Sequence, residues 1–117
     1  MRWYNHLYTG TKAKRHRFSI IQNIREERYL PGIYVITPPS NGNNVLDIHP
    51  VTEFANPFYA ERQELLILGI AEGYQEALEL AGTIVTEMYE KTGGFCLDKF
   101  LRCDEACHQQ VSQQKAE

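Results

Sequence analysis

Residues 64–94 read ELLILGIAEGYQEALELAGTIVTEMYEKTGG, and this stretch carries both periodicities from which a fold can be read. Glu64 to Ile70 is apolar from Leu65 onward, interrupted by Gly69. Successive strand residues face opposite ways, so Leu65 and Ile67 line one side and Leu66, Leu68 and Ile70 the other. A strand apolar on both faces belongs inside a sheet, covered on each side. Glu72-Gly73 then turns the chain directly into a helix expected over Gly73 to Lys91. Its apolar arc holds Tyr74, Ala77, Leu78, Ala81, Ile84, Val85 and Met88, and its opposite face carries Glu72, Glu76, Glu79, Glu87 and Glu90. Thr92-Gly93-Gly94 stops it, with glycine able to take the left-handed position after a helix.

Working outward, Arg2 to Tyr8 holds Trp3, Tyr4 and Tyr8 and suits a strand, although its alternation is imperfect. Thr9-Gly10-Thr11 breaks it. A second helix is expected from Lys12 to about Arg28, with Ala13, Arg17, Ile20, Ile21 and Ile24 on one arc and Phe18 beside them. Leu30-Pro31-Gly32 ends that helix. Ile33 to Thr37 and Val45 to His49 read as two strands of a hairpin, since Ser40-Asn41-Gly42-Asn43-Asn44 supplies residues that tolerate positive φ. Val51 to Asn56 suits one or two helical turns before Pro57, and Phe95 to Arg102 a short docked helix. The order is β-α-β-β-β-α plus short helices. It predicts a small α+β two-layer sandwich: a mainly antiparallel four-stranded sheet with both long helices on one face. Residues 1–103 form that single domain, and the polar, glutamine-rich residues 104–117 form a disordered tail. Two helices on one face leave the other face of a doubly apolar sheet bare. A second copy of the chain is the simplest cover, so a homodimer is expected.

At 117 residues, with 43% apolar and 23% charged side chains, the composition is that of one soluble globular domain able to build a core without staples. No apolar run approaches the roughly 18 residues of a membrane span, and the first twenty residues hold no continuous apolar segment. A cytoplasmic protein with no membrane association is expected. Three cysteines, Cys96, Cys103 and Cys107, form no disulfide framework. The run Cys103 to His108 has metal-binding residue types, but C-x3-C fits no closed zinc pattern and no second ligand pair exists. Neither metal nor cofactor is expected.

The net charge of −3 hides an asymmetry. Residues 1–28 carry seven basic and two acidic side chains (+5), and the remaining 89 carry five basic and thirteen acidic (−8). The basic end is concentrated in Lys12, Lys14, Arg15 and Arg17, at the start of the first long helix. Cations at a helix N-terminus oppose its dipole, and a local rule is usually broken where binding or assembly compensates. Free amides beside cations are also how proteins hold anions. These four residues are therefore the candidate anion-binding set. The alternative is plain neutralisation by the acidic second helix, with Arg17, inside the apolar arc, paired to a carboxylate.

No catalytic set is expected. Asp47 and His49, at i and i+2 of a strand, share a face, so the carboxylate could orient the imidazole, but no nucleophile is fixed beside them. Polar-face alternation explains the pair equally well. Gly69 and Gly73 lack the lysine and spacing of a phosphate loop. Three functions are consistent with the sequence. First comes a small homodimeric binding module for an anionic ligand or an acidic protein. Next is a nucleic-acid binder using helix 12–28, against which stands a pI near 5.8. Last is an enzyme with an interface site near Asp47 and His49.

Overall fold

The computed structural model describes residues 2–39, 45–56, 65–95, 97 and 99–101. The elements are β1 (Arg2–Thr9), α1 (Thr11–Arg15), α2 (Arg17–Arg25), β2 (Ile33–Thr37), β3 (Asp47–Pro50), a 3-10 turn (Val51–Ala55), β4 (Leu66–Glu72) and α3 (Tyr74–Thr92). The protein is α+β, with one mixed sheet of strand order β1-β4-β2-β3. β2 pairs antiparallel with both β3 and β4, while β1 runs parallel to β4. The hairpin tip 40–44, the tail from 104, and Cys96, Cys103, Cys107 and His108 lie outside the described residues. The chain divides into two units, Met1–Thr83 and Ile84–Glu117, with the division inside α3.

In the first unit the central strands are buried on both sides. Val35, Ile36, Ile67, Leu68, Ile70 and Ala71 are all essentially inaccessible. Val35 pairs with Ile70, and Ile36 with Gly69. Neighbouring positions point oppositely, so these pairs mark the two faces. Val35 and Ile70 belong to one apolar cluster with Ala13 of α1, Ile20 and Ile24 of α2, and Val51 and Phe54 of the 3-10 turn. On the other face, a Cβ at Gly69 would stand 3.1 Å from Leu80 of α3, and the Tyr34 and Tyr74 rings are 5.7 Å apart. Helices therefore cover both faces, not one. β1 and β4 are parallel neighbours, and the helix after each leaves toward a different face. Within this unit the face that called for a second copy is not bare, because the start of α3, Tyr74 to Thr83, packs on it.

Two further differences have local causes. Between Trp3 and Tyr8 the register with β4 slips, from Trp3↔Ile67 to Tyr8↔Gly69, so β1 spends five steps where β4 spends two. An irregularity of this kind re-aims side chains and explains the imperfect alternation of the aromatic strand. The helix expected over 12–28 is split at His16 (φ −120°, ψ 23°). The His16 N–H closes a tight turn on the Ala13 carbonyl, and the His16 carbonyl accepts from Ile20 to begin α2. Arg17 opens α2, at helical spacing from Ile20 and Ile24, yet as its first residue it is exposed rather than inserted in the core.

α2 ends at Glu26 in hydrogen bonds from Glu27 N–H to the Ile24 carbonyl and from Arg28 N–H to the Asn23 carbonyl. That pattern is a Schellman motif, with Glu27 at φ 61° in the left-handed position. At the other end of the sheet Gly73 (φ 98°) makes the turn from β4 into α3, a conformation that glycine adopts at no steric cost. Its N–H donates to the Gly32 carbonyl at 2.7 Å. In the second unit Phe100 is buried with the Lys91 ammonium 5.6 Å from its ring centre, and the described residues among 97–101 are helical. No helix among the described residues is long and apolar enough to cross a membrane.

Candidate interaction surface

The crevice beyond two adjacent parallel strands whose helices diverge is where open sheets commonly receive ligands, often an anion on a helix N-terminus. Here α1 starts beside that crevice, and the anion that meets it is internal. The Glu76 carboxylate of α3 accepts the N–H of Lys12 at 2.5 Å and of Ala13 at 3.3 Å. It also accepts the N–H of Glu72, at the end of β4, at 2.6 Å. Gly10, the residue before α1, provides no side-chain cap, so Glu76 caps α1 from 63 or more residues away. A Cβ at residue 10 would fall inside that carboxylate. Gly10 has an ordinary extended backbone (φ −67°), so glycine is required there for space and not for conformation.

Glu76 is only 9% exposed, although the sequence pattern places it on the solvated acidic face. Burial opposes its ionisation. The amide bonds from Glu72, Lys12 and Ala13 and the charge of Lys12 outweigh that opposition and hold the carboxyl below its usual range. The unfavourable basic start of α1 is thus offset by a carboxylate set against its amides.

That leaves the side chains. Lys12, Lys14, Arg15 and Arg17 all point to solvent around the single buried residue of α1, Ala13. No described carboxylate forms an ion pair within 4 Å with the charged group of any of the four, although the charge of Lys12 acts on Glu76 at longer range, whereas Arg28 meets Glu26 at 3.6 Å. Arg17 is not neutralised by a described glutamate, the partner its expected place in the apolar arc called for. Phe18 follows directly, 86% exposed. An aromatic ring left in water beside four cations is the feature of this segment that folding does not explain.

At the foot of the same helices lies a shallow, open apolar cleft of about 30 Å³ between α2, the segment Arg28–Ile33 and Val51. Ile20, Ile24 and Val51 are buried, and Leu30 is 48% exposed. Asn23 and Arg28 are its polar members.

The Asp47–His49 pair exists, with a third member that strand alternation could not reveal. His49 Nδ1 lies 3.2 Å from Glu53 Oε2 and His49 Nε2 lies 3.8 Å from Asp47 Oδ2. Glu53 arrives because the 3-10 turn brings residue i+4 back over β3. An imidazole held between two carboxylates is well oriented, but no hydroxyl or thiol among the described residues contacts it, and the Phe54 ring packs 6.2 Å from it. No group of three or more metal-ligating residues able to hold an ion occurs among the described residues. Comparison with protein-family models, curated proteins and solved structures finds no match to this chain.

Proposed function

We propose that this protein is a binding module that recognises an acidic protein partner through the exposed face of α1 and the start of α2. The observation that carries this reading is the run Lys12, Lys14, Arg15, Arg17 and Phe18, all exposed, with no ion pair from a described carboxylate to any of the four charged groups. Because Glu76 already takes the amides beneath them, a small anion has no pocket to enter. Long side chains standing in solvent instead suit a carboxylate-bearing surface, with Phe18 as its apolar anchor. The whole-chain charge of −3 argues against a general polyanion binder and for a local basic patch. One copy suffices for this reading.

The test is fluorescence anisotropy with a short labelled glutamate-rich peptide, set against a labelled single-stranded RNA of similar charge. The peptide is expected to bind in the micromolar range and to weaken with added salt, since exposed charges are screened beyond roughly 8–10 Å. Lys14→Glu with Arg17→Glu should abolish binding without unfolding the chain. Preference for the RNA, with a steep salt slope, assigns the surface to nucleic acid instead. Binding that survives the double charge reversal refutes the site.

A further inference from the structure

We infer that the acidic partner of the α1–α2 surface is a second copy of this chain, which presents the exposed start of α3, so that copies associate head to tail. This rests on the proposed function and names its partner. The charge of the first unit is divided along the chain: residues 1–28 carry seven basic and two acidic side chains, whereas residues 29–83 carry one basic and seven acidic. The start of α3 belongs to the acidic part and is not purely polar. Tyr74 is 56% and Leu78 43% exposed, and at i and i+4 they are neighbours on the helix surface. Glu79 beside them is exposed and Glu72, just before the helix, is half-buried. The Tyr74 ring is held in place, 5.7 Å from that of Tyr34. An apolar pair flanked by carboxylates, without a lysine or arginine between Arg62 and Lys91, is the counterpart of Phe18 beside four cations.

The two surfaces do not satisfy each other within one chain. α1 and α2 pack on the face of the sheet marked by Val35 and Ile70, and the start of α3 on the face marked by Gly69. Phe18 stays in solvent, and none of the four cations forms an ion pair with a described carboxylate. Between copies the match is direct. Phe18 packs on Tyr74 and Leu78, a contact of the aromatic-anchor kind, while the cations face Glu72 and Glu79. Pairing like with like would instead set four cations against four, which is repulsive. A contact between two different patches leaves one patch of each kind free on the ends of the pair. Assembly therefore goes on past two copies, as an open chain or a closed ring.

The experiment is light scattering of the full chain over a range of concentrations at low and high salt. At low salt the mass is expected to rise with concentration beyond twice 13.5 kDa, and to return toward 13.5 kDa in high salt. Two variants each remove one patch: Lys14→Glu with Arg17→Glu, and Leu78→Ser with Glu79→Lys. Each alone should stay monomeric, since head-to-tail contact needs both patches. Mixed in equal amounts they should form a pair and stop there, because the two intact patches lie on different chains. Lys14→Glu or Glu79→Lys alone replaces any pair of changes that circular dichroism shows to be unfolded. A mixture that stays monomeric overturns the inference, as does either folded variant that assembles alone like wild type. Wild type that stays monomeric at low salt but binds the glutamate-rich peptide overturns the second copy and leaves the basic surface standing. Wild type that does neither overturns both.

Discussion

Removing the Glu76 carboxylate should be among the most damaging single changes to a charged side chain in this protein. In Glu76→Ala three backbone N–H groups lose their acceptor: Lys12 and Ala13 at the start of α1, and Glu72 at the end of β4. One of these bonds is buried and two are partly buried, so water can reach some of the orphaned donors. An orphaned buried donor costs about 1–3 kcal/mol, and loss of a helix N-cap about 1 kcal/mol. Allowing for partial rehydration and overlap between these effects, about 2–4 kcal/mol is expected. At about 4–8 °C per kcal/mol for a chain near this size, the melting temperature should fall by about 8–32 °C. Glu76→Gln is nearly isosteric and keeps one acceptor oxygen but turns an amide donor toward donors, so it should lie between wild type and alanine. The pH dependence has a fixed sign. The folded carboxyl ionises below its ordinary value, so its stabilisation is complete above the unfolded value near 4.3 and is lost as pH falls through the lower folded value. Urea titrations of wild type and Glu76→Gln should therefore differ most at neutral pH and converge on acidification. A loss below about 1 kcal/mol for Glu76→Ala, or a gap that widens in acid, refutes the three-way cap.

Gly10→Ala should cost about 2 kcal/mol or more, as overpacking commonly does, because its Cβ displaces the same carboxylate. Gly82→Ala, in α3 with nothing near the added Cβ, should instead stabilise by up to about 1 kcal/mol, and the two melts check the contrast. Phe18→Ser should leave stability within about 0.5 kcal/mol, since the ring is already in solvent, while weakening the glutamate-rich peptide in the anisotropy assay. His49→Asn should change urea stability by no more than about 1 kcal/mol, because its Asp47 contact is long, 3.8 Å, and its closer partner Glu53 is 40% exposed.

Local periodicity was enough to place β2 and the long helix within a residue or two, because their patterns are set by neighbours in sequence. Ile33–Thr37 is a strand as expected, and α3 runs Tyr74–Thr92 against an expected Gly73 to Lys91. What stayed hidden depends on contacts far apart in the chain. Whether helices share a sheet face is decided by the direction in which each leaves its strand, and strand composition carries no record of that, nor of the parallel pairing of β1 with β4. The split at His16 breaks no composition rule, as no proline or glycine marks it. Glu76 was legible in part: it stands one turn ahead of Leu80, Ile84 and Met88 at i+4 spacing, on the line of residues that are buried, but its charge placed it with the solvated glutamates. The candidate cations lie exposed on α1 and at the start of α2. The amides beneath them are taken by Glu76, 64 positions along from Lys12, a carboxylate of the acidic second helix that the sequence offered as the alternative.

The surface itself is tested most directly by an amide-shift map of the intact protein titrated with the glutamate-rich peptide. The expected result is a contiguous set of perturbed amides from Lys12 through Phe18. Perturbations centred on α3 or on Asp47 and His49, with the α1–α2 face unmoved at saturating peptide, would contradict it.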